Sequence, residues 1–189
     1  MIKKYSNIQI VFLASMVAFD FAFGMIVKNI LAPTGVLDFI RIDMIVPVML
    51  MMTVRLTLDR FGTLILYELA WGMLAVVAMP TAYGLPGLMK LVPAICQGIA
   101  YDAVMSGMRN MRTARIYAAA ILGGAVSWIA VILMKIAMGV PWATATKIVF
   151  SVQVVMGMIV SAAGAYAAIL LWERIEGLHL VRRIQCAEQ

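Results

Sequence analysis

The chain has 189 residues, of which 65% are apolar and only 13% charged, with a mean hydropathy of +1.01. A soluble domain sits nearer half apolar and a quarter charged, so this excess cannot all enter a core of such a size and most of it has to face lipid. The net charge of +6 gathers at the ends of apolar stretches, which is how membrane topology is written and argues against nucleic acid as a partner; two cysteines and one histidine, without paired spacing, argue against a disulfide framework or a metal site.

A helix crosses a hydrocarbon layer of roughly 30 Å with about 20 residues. Six stretches of that order predict a single all-α transmembrane domain, with both termini on the cytoplasmic side. The first runs from Ile8 to Leu31. It follows Lys3 and Lys4 like a signal peptide, but it is longer than a usual signal core and reads as a retained helix. Ala14 and Ala18 form a small-residue step on its first half, of the kind that lets another helix approach closely. Asp20, six residues after Ala14, projects to a different face, so the alanines can face outward while Asp20 faces the bundle.

A loop from Ala32 to Arg41 with Pro33, Gly35 and Asp38 leads to the second stretch, Ile42 to Leu58, which is short and carries Asp43, Pro47 and Arg55. The third, Phe61 to Met79, holds Glu68 and Trp71. An ionised side chain at mid-span costs roughly 2.5 to 3.5 kcal/mol on insertion scales. Asp20 and Glu68 are therefore expected to be neutral, hydrogen-bonded or paired with a cation such as Lys28 or Arg41, with a proton relay as the alternative.

The loop PTAYGLPG, from Pro80 to Gly87, precedes the fourth stretch, Leu88 to Ser106. Lys90, Pro93, Gln97 and Tyr101 share one stripe there, while Asp102 near its far end is expected to be structural, paired with Arg109 or a neighbour. The fifth stretch runs from Arg115 to Met138 and places Trp128 and Lys135 on one face. After GVPWATA, which contains Trp142, the sixth runs from Thr146 to Trp172. It aligns Thr146, Phe150, Gln153 and Gly157, and Gly157, Ser161 and Ala165 form a small-residue stripe.

With both termini inside, ten Lys and Arg lie on the inner side against Lys28, Arg41, Lys90, Lys135 and Lys147 outside, the direction the positive-inside rule requires. Lys90, Lys135 and Lys147 then share one outer depth. They read either as a cationic ring around an anionic ligand or as lysines snorkelling to headgroups. Aromatic walls with a few amides and cations are what small-molecule recognition asks for; interhelical hydrogen bonding is the other use for Gln97 and Gln153. The seventeen methionines supply adaptable packing. Nothing resembles a P-loop, a zinc-protease helix, a nucleophile elbow or a catalytic carboxylate pair, so neither enzymatic activity nor a cofactor is expected.

The arrangement resembles the substrate-binding S component of an energy-coupling factor (ECF) vitamin transporter. The resemblance spans nearly the whole chain and rests on its length, six spans with both ends inside, ASMVA from Ala14 to Ala18, IRIDMIVPVML from Ile40 to Leu50, and the Pro80 to Gly87 loop leading into LMKLVPAICQG from Leu88 to Gly98. It implies a non-enzymatic subunit of an ABC importer in a prokaryotic plasma membrane. Such a subunit binds a water-soluble vitamin or related micronutrient near the outer face, in a pocket made by spans four to six with the loop after span one. The Ala14/Ala18 face would meet a transmembrane T component joined to two ATPases. The expected substrate-binding set is Arg41, Trp71, Tyr83, Lys90, Gln97, Trp128, Lys135, Trp142, Lys147, Phe150 and Gln153. The outer cations favour a carboxylate or phosphate on the substrate, and the tryptophans leave an uncharged aromatic one open. The rivals are a self-sufficient secondary transporter or channel, with Asp20 and Glu68 as coupling groups, and a small membrane enzyme or assembly factor.

Overall fold

A computed structural model describes residues 5–35, 41–79, 82–144 and 152–186, and among them every regular element is helical. The α-helices lying wholly among the described residues are, in chain order, α1 Asn7–Leu31, α2 Ile45–Leu58, α3 Thr63–Ala78, α4 Leu91–Gly107, α5 Ala114–Ala137, α6 Val152–Ile175 and the short α7 His179–Cys186. Short 3₁₀ turns lead into α2 at Ile42–Met44 and into α4 at Gly87–Lys90. Among the described residues four helical segments are long and apolar enough to cross a membrane: Asn7–Leu31, Gly87–Gly107, Ala114–Ala137 and Val154–Ile175; Thr63–Ala78 is apolar but shorter. The chain thus has the make-up of a multi-pass membrane protein.

The six long helices close a ring in the packing order α1, α2, α6, α5, α4, α3 and back to α1. The 14-residue α2 lies deepest, with every side chain from Leu50 to Leu58 buried, Arg55 included at 2% exposure. The face of α1 carrying Val11, Ala14, Ser15, Ala18 and Phe19 is exposed, while Gln9, Val17 and Asp20 turn inward. That split is the one expected from the spacing of Ala14, Ala18 and Asp20.

Helix α3 shows what an apolar surrounding demands of a short helix. Its free N–H groups and carbonyls need partners where no water reaches them. Both sets come from α4 and the 3₁₀ turn that leads into it. Asp102 Oδ2 accepts from the N–H groups of Gly62, Leu64 and Ile65 at 3.0, 2.9 and 3.1 Å. At the other end Lys90 Nζ donates to the carbonyls of Met79 and Ala75 at 2.8 and 3.3 Å. An anion sits at the positive end of the α3 dipole and a cation at its negative end, the favourable arrangement. Between the two caps the backbones touch at Gly98, where an added Cβ would lie 2.7 Å from the Leu64 carbonyl oxygen and 2.8 Å from Ile65 Cα.

Asp102 is paired with Arg55, Nε to Oδ1 at 2.9 Å, and not with Arg109 as the sequence suggested. Arg55 also reaches Asp59 at 2.8 Å and donates to Ser106 at 2.9 Å, while Arg109 and Arg115 each lie 3.4 Å from Asp59. These groups mark one end of the bundle, the ion-pair end. There α7 folds back, burying Val181 and Ile184 and giving Gln9 Nε2 the Ile184 carbonyl at 3.1 Å. The sequence reading had no element after Trp172, yet helix α6 continues to Ile175 and α7 follows it.

Because the neighbour at Gly98 is backbone and cannot rotate away, Gly98→Ala is expected to cost about 1–3 kcal/mol. Its thermal midpoint in detergent, followed by size-exclusion recovery after heating, should fall well below that of Gly107→Ala, where an added Cβ meets open space.

Candidate functional site

A cavity of about 660 Å³ occupies the other end of the bundle, where α1, α3 and α5 finish. Its walls come from α1 through α6 together with Gly35, Arg41, Tyr83 and Gly84 of the connecting segments. The space is thus bounded by the whole ring, and not by the last three long helices alone.

One wall is aromatic. The rings of Trp71 and Tyr83 meet edge to face at 5.9 Å, and Phe21 meets Trp71 the same way at 6.2 Å. Tyr83 takes a left-handed backbone conformation, with φ of 57°, uncommon for a residue with a Cβ and a form of local strain found mostly at binding sites. Gly84, also left-handed, lets the connection pass Lys135, whose Nζ would lie 3.6 Å from a Cβ at that position. Trp128 on α5 forms the facing wall beside Gly157 of α6.

Polar groups divide by depth. Towards the helix ends lie Lys28, Lys135 and the Arg41/Asp43 pair. The Arg41 guanidinium grips the Asp43 carboxylate in bidentate fashion, Nε to Oδ1 at 2.9 Å and Nη2 to Oδ2 at 3.0 Å. Lys28 and Lys135 form no ion pair with a described residue. Deeper lie Asp20 and Glu68. Asp20 precedes Lys28 by eight residues, about 12 Å along the helix, and Glu68 precedes the end of α3 by ten, about 15 Å. Tyr67 Oη donates to Asp20 Oδ2 at 3.0 Å, whereas Asp20 Oδ1 is buried without a hydrogen-bond partner among the described residues. Glu68 is 4% exposed and has no hydrogen bond or ion pair among them. Gln97, Ser127 and Ser161 add neutral polar groups to the lining, and Gln97 Nε2 donates to Tyr101 Oη at 2.9 Å.

The structure therefore brings together Arg41, Trp71, Tyr83, Gln97, Trp128 and Lys135 around one space. It places Lys90 elsewhere: 1% exposed, its ammonium closes the α3 terminus and does not line the cavity. Trp142 is 66% exposed and also lies off the lining. Thr146, Lys147 and Phe150 fall outside the described residues, as does the Gln153 side chain. Gly157 and Ser161 of the small-residue stripe face the cavity, while the close helix approach on α6 is at Gly164, whose Cβ would lie 2.8 Å from the Ile45 carbonyl oxygen. The candidate set drawn from sequence omitted Lys28, Asp20 and Glu68. The cost of a mid-span carboxylate was the signal that could have included the last two.

Among the described residues no cluster of metal-ligating side chains occurs. Comparisons with family models, with curated proteins and with solved structures find no match to the chain.

Replacing Lys90 by Met removes the donor that closes α3. Lys90→Met is expected to lower the thermal midpoint, by a loss on the order of 1–3 kcal/mol for carbonyls left unsatisfied. Quenching of cavity tryptophan fluorescence by a small aqueous quencher should stay as in the parent protein. A pocket lysine would instead change the quenching and leave the midpoint alone.

Proposed function

We propose that this chain is the substrate-binding membrane subunit of an ECF-type ABC importer, capturing a water-soluble vitamin or related micronutrient at the outer face of a prokaryotic plasma membrane. The observation that carries this reading is the cavity: a space of about 660 Å³, of the size that takes a small organic molecule, with aromatic walls and a few convergent polar groups. The cavity end is the outer one, because the ten inner cations counted from sequence include Arg55, Arg109, Arg112 and Arg115 of the ion-pair end.

On this reading the chain crosses the bilayer six times, with both termini cytoplasmic. Helices α2 and α3 fall short of a full crossing at about 21 and 24 Å. Their flanking turns and the side chains that close their ends make up the difference. The exposed face of α1 with Ala14 and Ala18 supports docking against a T component, which links the subunit to two ATPases. Lys28 and Lys135 at the mouth suit a substrate with a carboxylate or phosphate. The chain itself is not an enzyme and carries no cofactor of its own.

Asp20 and Glu68 in the lining favour a second reading, a self-sufficient carrier in which those carboxylates couple substrate to an ion gradient. Proteoliposomes separate the two. The importer reading expects the purified chain to retain a small water-soluble molecule, detectable by mass spectrometry at near-stoichiometric amount, and to accumulate it only when T component and ATPases are present with ATP. Ala14→Leu with Ala18→Leu should then leave retention unchanged and abolish uptake. Robust gradient-driven uptake by the chain alone would overturn this assignment in favour of the carrier.

A further inference from the structure

The deepest polar groups of the cavity are carboxylates, which narrows the ligand beyond an anion held by outer lysines. Asp20 is 2% exposed and Glu68 4%, and the two are close enough to interact electrostatically. Asp20 Oδ1 has no hydrogen-bond partner and Glu68 has none at either oxygen among the described residues. Buried polar groups are almost always satisfied, and a buried acid left without a partner is strongly unfavourable. No internal cation forms an ion pair with them among the described residues, and only Lys28 interacts electrostatically with Asp20. Arg41 is occupied by Asp43, Lys90 by the carbonyls of α3, and Lys28 stands about 12 Å further along α1. Two acids deep in the cavity and two ammonium groups nearer the helix ends, without an ion pair among the described residues, share the lining with Trp71, Tyr83 and Trp128.

Resting on the binding reading above, we propose that the cavity takes a zwitterionic aromatic molecule, whose protonated nitrogen lies against Asp20 and Glu68 and whose acidic group lies towards Lys28 and Lys135. The ring system fills the aromatic middle. A protonated nitrogen at the deep end lies against Glu68 with Asp20 beside it, the charge-assisted contact that gives Glu68 a partner. The same cation gains from the electron-rich faces of the neighbouring rings. An acidic arm alone would leave both acids without partners.

The test uses the purified full chain in detergent, dialysed free of copurifying molecules, with four probes measured by equilibrium dialysis: benzylamine, benzoate, benzyl alcohol and para-aminomethylbenzoate. Benzylamine should bind about tenfold or more tightly than benzoate or benzyl alcohol, and para-aminomethylbenzoate more tightly still. Asp20→Asn and Glu68→Gln keep size and shape; each should weaken benzylamine about tenfold and leave benzyl alcohol unchanged. Lys135→Met should weaken para-aminomethylbenzoate and not benzylamine. Benzoate binding as tightly as benzylamine, a preference that survives both carboxylate changes, or no binding by any of the four overturns the proposal. The measurement needs neither partner subunits nor a gradient, so it can fail while ATP-dependent uptake stands, and hold if uptake proves independent of partners.

Discussion

An apolar surrounding leaves no water to satisfy a helix that ends too early, and the organisation of this bundle follows from how α3 meets that constraint. At 16 residues α3 stops short of its longer neighbours. Its N–H groups are taken by Asp102 of α4 and its last carbonyls by Lys90, the last residue of the 3₁₀ turn that runs into α4. Since the two caps stand twelve positions apart on one rigid helix, they fix the register of α3 against α4 as well as the pairing. Gly98 between them sets the distance. A slip by one turn would release both caps and drive the α4 surface into the α3 backbone.

Asp102 ties this pair to the rest of the molecule. Its second oxygen meets Arg55 of α2, and Arg55 meets Asp59, which Arg109 and Arg115 approach from the α4–α5 connection and the start of α5. A guanidinium buried to this degree is tolerable because it lies between two carboxylates and its two Nη groups donate to Asp59 and Ser106, and breaking such a pair on one side leaves an uncompensated charge. Charge is therefore matched internally at the ion-pair end. The cavity end differs: Arg41 and Asp43 satisfy each other, but Lys28, Lys135, Asp20 and Glu68 find no such partners among the described residues. The protein thus closes one end with its own charges and leaves the other end's charges available.

Much of the helix layout was legible in the sequence. The expected stretch from Ile42 to Leu58 coincides with the 3₁₀ turn and α2, and the expected boundaries of the first, third, fourth and fifth stretches fall within about two residues of the observed helices. Apolar length bounded by Pro, Gly and charge is a local property, so local reading recovers it. The outward Ala14/Ala18 face and inward Asp20 followed from helical periodicity alone. What periodicity lacks is a partner. It put Lys90, Gln97 and Tyr101 on one face of α4, and all three are buried, but it could not tell that Lys90 looks back at the end of α3 while Gln97 reaches the cavity. Asp102 was read as structural, and it is; its true counter-ion lies on α2, 47 positions earlier in the chain, and only the fold brings the two together. The helix α7 went unread because eight residues with four apolar side chains carry too little signal beside the long spans.

Glycine shows how the same residue type serves two opposite ends in this bundle, and why the space at the cavity end is a built feature and not slack packing. At Gly98 and Gly164 the missing side chain is replaced at once by another helix, with backbone atoms within 2.8 Å of where a Cβ would stand. At Gly123 the ring of Tyr101 takes its place. At Gly124 and Gly157, both on the lining, the nearest atoms are Ser161 Oγ at 3.7 Å and Trp128 Nε1 at 3.8 Å, ordinary contact distances at which a Cβ would displace nothing. Adjacent glycines on α5 thus behave differently according to the direction they face: Gly123 lets Tyr101 of α4 press inward, and Gly124 leaves the cavity lining without a side chain at that position. Interiors pack to crystal density wherever side chains can close a gap. The ring of helices thus packs on both sides of α5 and still keeps a cavity with polar groups distributed around it.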